Sequence, residues 1–282
     1  MIRNDVSEGA AAMATRMRSC ASTLDLGLSA RTPGLTPASA AEISAAIVYG
    51  RREVDMRLNM GGVCEASDVV AALIPAMVHV RSMMILCTDG VSPGSRRALL
   101  ASLRSKTLIA LVVCAEDLQL DGFEHLFVAM QHMPMLGSLT ICGDMTENQA
   151  LTIAGAVRGH ASLKELVLYN ATDPFGVHIM AQACAMSPRG ADRTLTLIKC
   201  SAAATAVVPL ALLNVCETTA GRLVRLERFG GATRPTFVNA GLGSIRMHKC
   251  EVDDTTTEAL RVSLLEDAVL HKVNFGSGEC VK

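Results

Sequence analysis

Apolar residues two apart recur along this chain at a nearly constant distance. In "LKELVLYNA", residues 163–171, Leu163, Leu166 and Leu168 hold positions 1, 4 and 6 of the stretch. In "LGSLTICGD", residues 136–144, Leu136, Leu139 and Ile141 hold the same three positions. Position 4 can be followed through Met56, Met83, Leu111, Leu139, Leu166, Leu195, Val224, Ile245 and Val273, at intervals of 27, 28, 28, 27, 29, 29, 21 and 28 residues. Position 6 is then Leu58, Ile85, Val113, Ile141, Leu168, Leu197, Leu226, Met247 and Phe275. All eighteen positions are apolar in a chain whose residues are 50% hydrophobic, so the period stands well above chance. Position 1 is less regular: Val80, Leu108, Leu136, Leu163, Leu242 and Leu270 fit, whereas Glu53, Asp192 and Gly221 do not.

Two residues on a strand separated by one other point to the same face. Positions 4 and 6 therefore predict a short strand with one face turned into a core. The segments that follow predict helices. Thr146 with Gln149 three residues on forms a capping-box pattern. Ser92 before Pro93, and Asp173 before Pro174, suit a cap followed by a proline in the first turn. Leu99/Leu103, Leu126/Met130 and Leu260/Leu264 are spaced to stack on one helix face. The apolar run 202–216, "AAATAVVPLALLNVC", is too short for a membrane span and predicts a buried helix. Residues 228–243 carry Gly230, Gly231, Gly241, Gly243 and Pro235, and predict a loop or one short turn.

The pattern resembles the leucine-rich repeat, L-x-x-L-x-L-x-x-N/C-x-L. Cys200 in "LTLIKC" and Cys250 in "IRMHKC" stand at its position 9. A period near 28 with a helix in each unit resembles the ribonuclease-inhibitor-like subclass, also found in the arrays of NOD-like receptors and Ran GTPase-activating proteins. The resemblance implies an α/β fold. It would be a right-handed solenoid, or horseshoe, with an inner parallel β-sheet and outer helices. Residues 1–20 are expected to be a tail and 21–282 the repeat domain. Within it, 21–50 would be a degenerate first repeat or cap, begun by "STLDLGLS" (residues 22–29), and 51–282 about nine repeats. The last unit ends just after its strand without a capping helix, which leaves an edge for self-association.

Composition narrows the function. The formal charge is −1 and no long run of one sign occurs, against the basic patch of a nucleic-acid binder. The N-terminus has no apolar secretory core. Ten scattered cysteines without a C-x-x-C point to reduced thiols in a cytoplasmic setting. No H-E-x-x-H, G-x-G-x-x-G or phosphate-binding loop is present, so neither catalysis, cofactor nor metal is expected. His125 and His132 lie two helical turns apart with no third ligand nearby.

Side chains at positions 3, 5 and 7 should point away from the core, into the hollow of the arc. At its middle these include Met84, Leu86, Val112, Cys114, Thr140, Cys142, Val167, Tyr169 and Ile198. At its ends lie charged residues such as Asp55, Arg57, Glu227 and Arg246. Cys114 and Cys142, at position 7 of consecutive repeats, are expected to be neighbouring thiols. An apolar centre with a polar rim suits a protein partner, with Tyr169 as anchor. The leading expectation is thus a non-enzymatic protein-binding module. The alternatives are a regulator of the Ran GTPase-activating type, acting through Asp89, Glu116, Asp117, Asp144 or Asn170 past the strand ends, or the repeat tail of a larger receptor.

Overall fold

The computed structural model describes residues 2–3, 9, 12, 14–15, 24–51, 53–88, 90–103, 106–187, 192–213, 228–229, 232–233, 242, 244–266, 272–274 and 279–281. They fall into two compact units, residues 1–137 and 138–282.

The first unit opens with β1 (Ile2–Arg3) and β2 (Leu24–Ser29). Then come α1 (Pro37–Gly50), β3 (Val54–Asn59), and α2 (Ala66–Leu73) with a 3-10 turn over Ile74–His79. β4 (Val80–Leu86), α3 (Pro93–Ser102), β5 (Ala110–Cys114) and α4 (Ala115–Met130) follow. A break at Gln119 (φ 55°, ψ −174°) interrupts α4. The five strands pair side by side in chain order, all parallel. Leu26, Met56, Met83 and Leu111 stand in register, and so do Leu28, Leu58, Ile85 and Val113. Each of these eight side chains is at most 3% exposed. The stretch read as a degenerate start thus supplies a full rung.

The second unit contains β6 (Ser138–Cys142), α5 (Glu147–Gly159), β7 (Glu165–Tyr169), α6 (Pro174–Ala185), β8 (Thr194–Ile198) and α7 (Ala202–Leu213). After these come a two-residue antiparallel pair, β9 (Arg228–Phe229) with β10 (Ala232–Thr233), then β11 (Ser244–His248) and α8 (Asp254–Glu266). β12 (Lys272–Asn274) and β13 (Glu279–Val281) end the unit. Leu139, Leu166, Leu195 and Ile245 form one row, and Ile141, Leu168, Leu197 and Met247 another, none more than 1% exposed. The last parallel strand, β12, is flanked by β13, which runs antiparallel to it and occupies its outer edge.

Across both units the described residues make eight alternating strand–helix units on parallel strands. The rungs differ from the expected series at one place. Thr194–Ile198 pairs directly with Ser244–His248 on one side and with Glu165–Tyr169 on the other. A rung at Val224 and Leu226 therefore has no place between them. The intervals of 29 and 21 are one 50-residue step from Leu195 to Ile245. Val224, Leu226 and Phe275 themselves lie outside the described residues. In the step, α7 buries Ala204, Thr205, Val208 and Ala211, as its apolar run predicts.

Local chemistry places the helices behind the strands. Thr146 and Gln149 make both bonds of the capping box: Gln149 N donates to Thr146 Oγ1 (3.4 Å), and Thr146 N to Gln149 Oε1 (2.8 Å). Ser92 Oγ accepts from Ser95 N at 3.1 Å. The Asp173 carboxylate accepts from Phe175 N and Gly176 N at 3.2 and 3.3 Å. A second capping box, Thr36 with Ser39, starts α1 and was not among the sequence signals. Leu99/Leu103 and Leu126/Met130 are fully covered, so those spacings face the core. Leu264's side chain lies outside the described residues. Within each unit, successive helices pack on one another.

The core of the second unit holds a cation. Arg193 is 1% exposed and is among the largest side chains fully buried. Its Nη1 donates to Val157 O at 2.6 Å and its Nη2 to His160 O, at the C-terminal end of α5. Carbonyls at a helix C-terminus carry partial negative charge and favour a cation. Burial lowers the pKa of Arg193. The adjacent thiol of Cys184 is pushed by burial up to about 11.

Leu166 sits mid-row with neighbours on both sides, so Leu166→Ala should cost about 2–5 kcal/mol. Urea denaturation of the full chain checks this. A loss under 1 kcal/mol (roughly the cost of a surface change) would contradict the rung assignment.

Candidate functional site

The alternation that buries positions 4 and 6 turns positions 3, 5 and 7 to the other sheet face. In the first unit, Met84 and Leu86 lie on β4, and Val112 and Cys114 on β5. Met84 is in register with Arg57 and Val112, and Leu86 with Asn59. In the second unit, Thr140 and Cys142 lie on β6, Val167 and Tyr169 on β7, and Ile198 on β8. Cys142, Tyr169 and Ile198 form one row, and Thr140, Val167 and Thr196 the next.

Eight of the nine candidate side chains are partly buried. The exception is Val167, only 8% exposed. It is covered by its neighbours and serves packing more than contact. Tyr169 is the aromatic of the second unit's face, and Lys199 Nζ sits 5.4 Å from its ring centroid. Such a contact sets the cation against the face of the ring. Burial raises the pKa of Cys114.

The charges beside these residues are spent on one another. Arg57 Nη2 contacts both oxygens of Asp25 at 3.0 Å. Arg81 bonds Asp55 through Nε (3.3 Å) and Nη2 (3.0 Å), and these bonds raise its pKa. In the second unit Glu165 accepts from Thr196 Oγ1 at 3.0 Å and from Ser138 Oγ at 3.4 Å, with Arg246 Nη1 3.9 Å away. Thr194 and Ser244 join their hydroxyls at 2.7 Å. Asp55 and Arg57, expected to charge one end of the stripe, are thus paired within it. Leu223, Arg225, Glu227 and Gly276 lie outside the described residues. Arg81 was missed because it stands at position 2, a place with no fixed facing in the motif.

The carboxylates past the strand ends have structural work. Asp117 Oδ2 accepts from Cys87 N at 2.7 Å, and its carbonyl accepts from Thr88 Oγ1 and Arg96 Nη1 at 3.0 and 2.9 Å. Asp144 accepts from Thr172 N, from Thr172 Oγ1, and from Asp173 N at 2.8 Å. It so ties the turn after β6 to the start of α6, one repeat further on. Asn170, at φ 57°, donates its N–H to Ile198 O at 2.7 Å. Asp89 lies outside the described residues, and Glu116 is exposed in the first turn of α4. His125 accepts from Arg97 Nε at 2.8 Å. Among the described residues no three His, Cys, Asp or Glu side chains are grouped to hold a metal ion. No helix among them is long and apolar enough to cross a membrane.

The chain matches no protein-family model, and a search of curated proteins returns no match. The strand–helix geometry therefore carries the functional reading.

Burial raises the pKa of Asp144, but its hydrogen bonds outweigh that and hold it below 3.8. A depressed carboxylate pKa adds stability above the unfolded value and loses it as pH falls through the folded value. Asp144→Ala should therefore destabilise the chain near neutral pH, by about 1 kcal/mol at most for the lost hydrogen bonds once solvent screening is allowed for. The gap from wild type should narrow as the pH drops below 3.8. Urea titrations across that range check it; a gap independent of pH would contradict the assignment.

Proposed function

We propose that this chain is a leucine-rich-repeat protein of the ribonuclease-inhibitor-like kind. It binds a protein partner on the sheet face opposite its helices and carries out no catalysis itself. The supporting observation is the row Cys142–Tyr169–Ile198. It is apolar and partly open, on a face where Glu165 pairs with Thr196, Ser138 and Arg246, and Lys199 stands over the Tyr169 ring. A surface with most of its charges internally paired offers apolar contact and hydrogen bonding more than charge steering. The partner would therefore present an apolar or aromatic segment, and association would depend weakly on salt. In the first unit Met84, Leu86 and Val112 offer the same chemistry beside the Arg57–Asp25 pair. A cytoplasmic setting fits the unbridged thiols of Cys64, Cys114, Cys184, Cys200 and Cys250.

The test compares a sheet-face variant, Tyr169→Asp, with a helix-face control, Leu151→Asp, whose side chain is 55% exposed. Each is used as the full chain to capture proteins from its native cell, followed by mass spectrometry. A partner held by wild type and by Leu151→Asp, but at least about tenfold weaker with Tyr169→Asp, is the expected result. Equal capture by Tyr169→Asp, with its melting curve unchanged, would refute the site.

A further inference from the structure

Direct pairing of β8 with β11 places two cysteines side by side. Cys200 and Cys250 each stand two residues beyond the register pair Ile198–His248. Lys199 N donates to His248 O at 2.9 Å and Glu251 N to Cys200 O at 3.0 Å, so the chains stay joined on both sides of the cysteines. Lys199 and Lys249, with φ of 54° and 52°, turn the backbone just before each one. Cys200 Sγ lies 3.5 Å from Leu168 O and 3.7 Å from Ile198 O. Cys250 Sγ lies 3.5 Å from His248 O. The two thiols are close enough to shift each other's pKa. Cys200 is 1% exposed, whereas Cys250 is only partly buried. Cys250 is the more accessible of the two.

The pair is chemically unequal. The neighbouring Cys200 thiol, with the peptide groups of Cys200, His248 and Lys199, lowers the pKa of Cys250 against the cost of burial. The Cys250 thiol beside it, followed by burial, raises the pKa of Cys200. The thiolate is the nucleophilic form of cysteine. The accessible member, Cys250, is the one favoured as thiolate.

We infer that Cys250 and Cys200 form a reactive dithiol which hydroperoxides oxidise to a disulfide, with Cys250 attacking and Cys200 resolving. In the first step the Cys250 thiolate attacks one peroxide oxygen. An S–O bond forms and the O–O bond breaks. The departing oxygen takes a proton and leaves as water or alcohol, and Cys250 becomes a sulfenic acid. In the second step the Cys200 sulfur attacks the Cys250 sulfur. The S–S bond forms and the S–O bond breaks. The leaving hydroxide takes the Cys200 proton and departs as water. Two thiols lose two electrons in all, and the peroxide gains them. Paired strands lie about 4.8 Å apart and a disulfide prefers a Cβ separation near 3.8 Å. Closing the bond therefore draws the two Cβ atoms in from the strand spacing at this end of the ladder. The bond would close the 50-residue step containing α7 into a loop. Closing it raises the stability of the second unit by restricting the unfolded chain.

The test treats the reduced full chain with a few equivalents of hydrogen peroxide, blocks remaining thiols, and maps peptides by mass spectrometry. The expected product is a Cys200–Cys250 cross-link, formed before exposed Cys64 or buried Cys184 is modified. In Cys200→Ser, dimedone should trap a sulfenic acid at Cys250; in Cys250→Ser, Cys200 should stay reduced. Oxidation of Cys64 ahead of the pair in wild type would overturn the proposal whether or not either variant folds. So would a Cys200→Ser protein that yields no dimedone adduct at Cys250.

Discussion

A five-residue strand with one helix behind it has no core of its own. Its backbone groups are open on both edges, and its apolar face is covered only when a like unit lies beside it. Lateral pairing of identical rungs meets both demands, since each N–H and C=O finds a ladder partner while each Leu, Ile or Met lies against its counterpart. Leu139, Leu166, Leu195 and Ile245 are each 0% exposed for that reason. The helices, the capped turns and the face that remains open follow from this stacking.

The rungs were legible because positions 4 and 6 must both be apolar at every repeat, a demand that few stretches meet by chance. The false rung at Val224 and Leu226 shows the limit. Half of this chain is hydrophobic, so an apolar pair falls readily at any chosen place. Local pattern alone does not say whether a segment joins the sheet or loops out between two strands that do. That error hid the neighbourhood of Cys200 and Cys250, since an intervening strand would have held them apart. Conversely, Leu26 and Leu28 were legible as a pair but stand 30 residues before the next rung, Met56 and Leu58, and so read as a degenerate start.

The candidate face was legible in direction but not in exposure. Alternation tells which way Val167 points, yet not that its neighbours cover it. Nor does it tell that Arg57 and Arg81 reach across to Asp25 and Asp55, each on the preceding strand. Those pairings depend on register, and register is known only once the strands are laid side by side. The turn acids Asp117 and Asp144 make a similar point. As sequence they looked available for chemistry, and in the fold they accept bonds from backbone N–H groups. Buried Arg193 had no sequence signature, because its partners are carbonyls of a helix that ended 34 residues earlier.

Amide hydrogen exchange across β7, β8 and β11 tests the stacking account most directly. The account predicts that Ser244–His248 exchanges as slowly as Thr194–Ile198, because the two strands share one ladder despite the 50 residues between them. Fast exchange of Ser244–His248 beside a protected Thr194–Ile198 would contradict it. The second unit would then lack the continuous row on which both the open face and the cysteine pair depend.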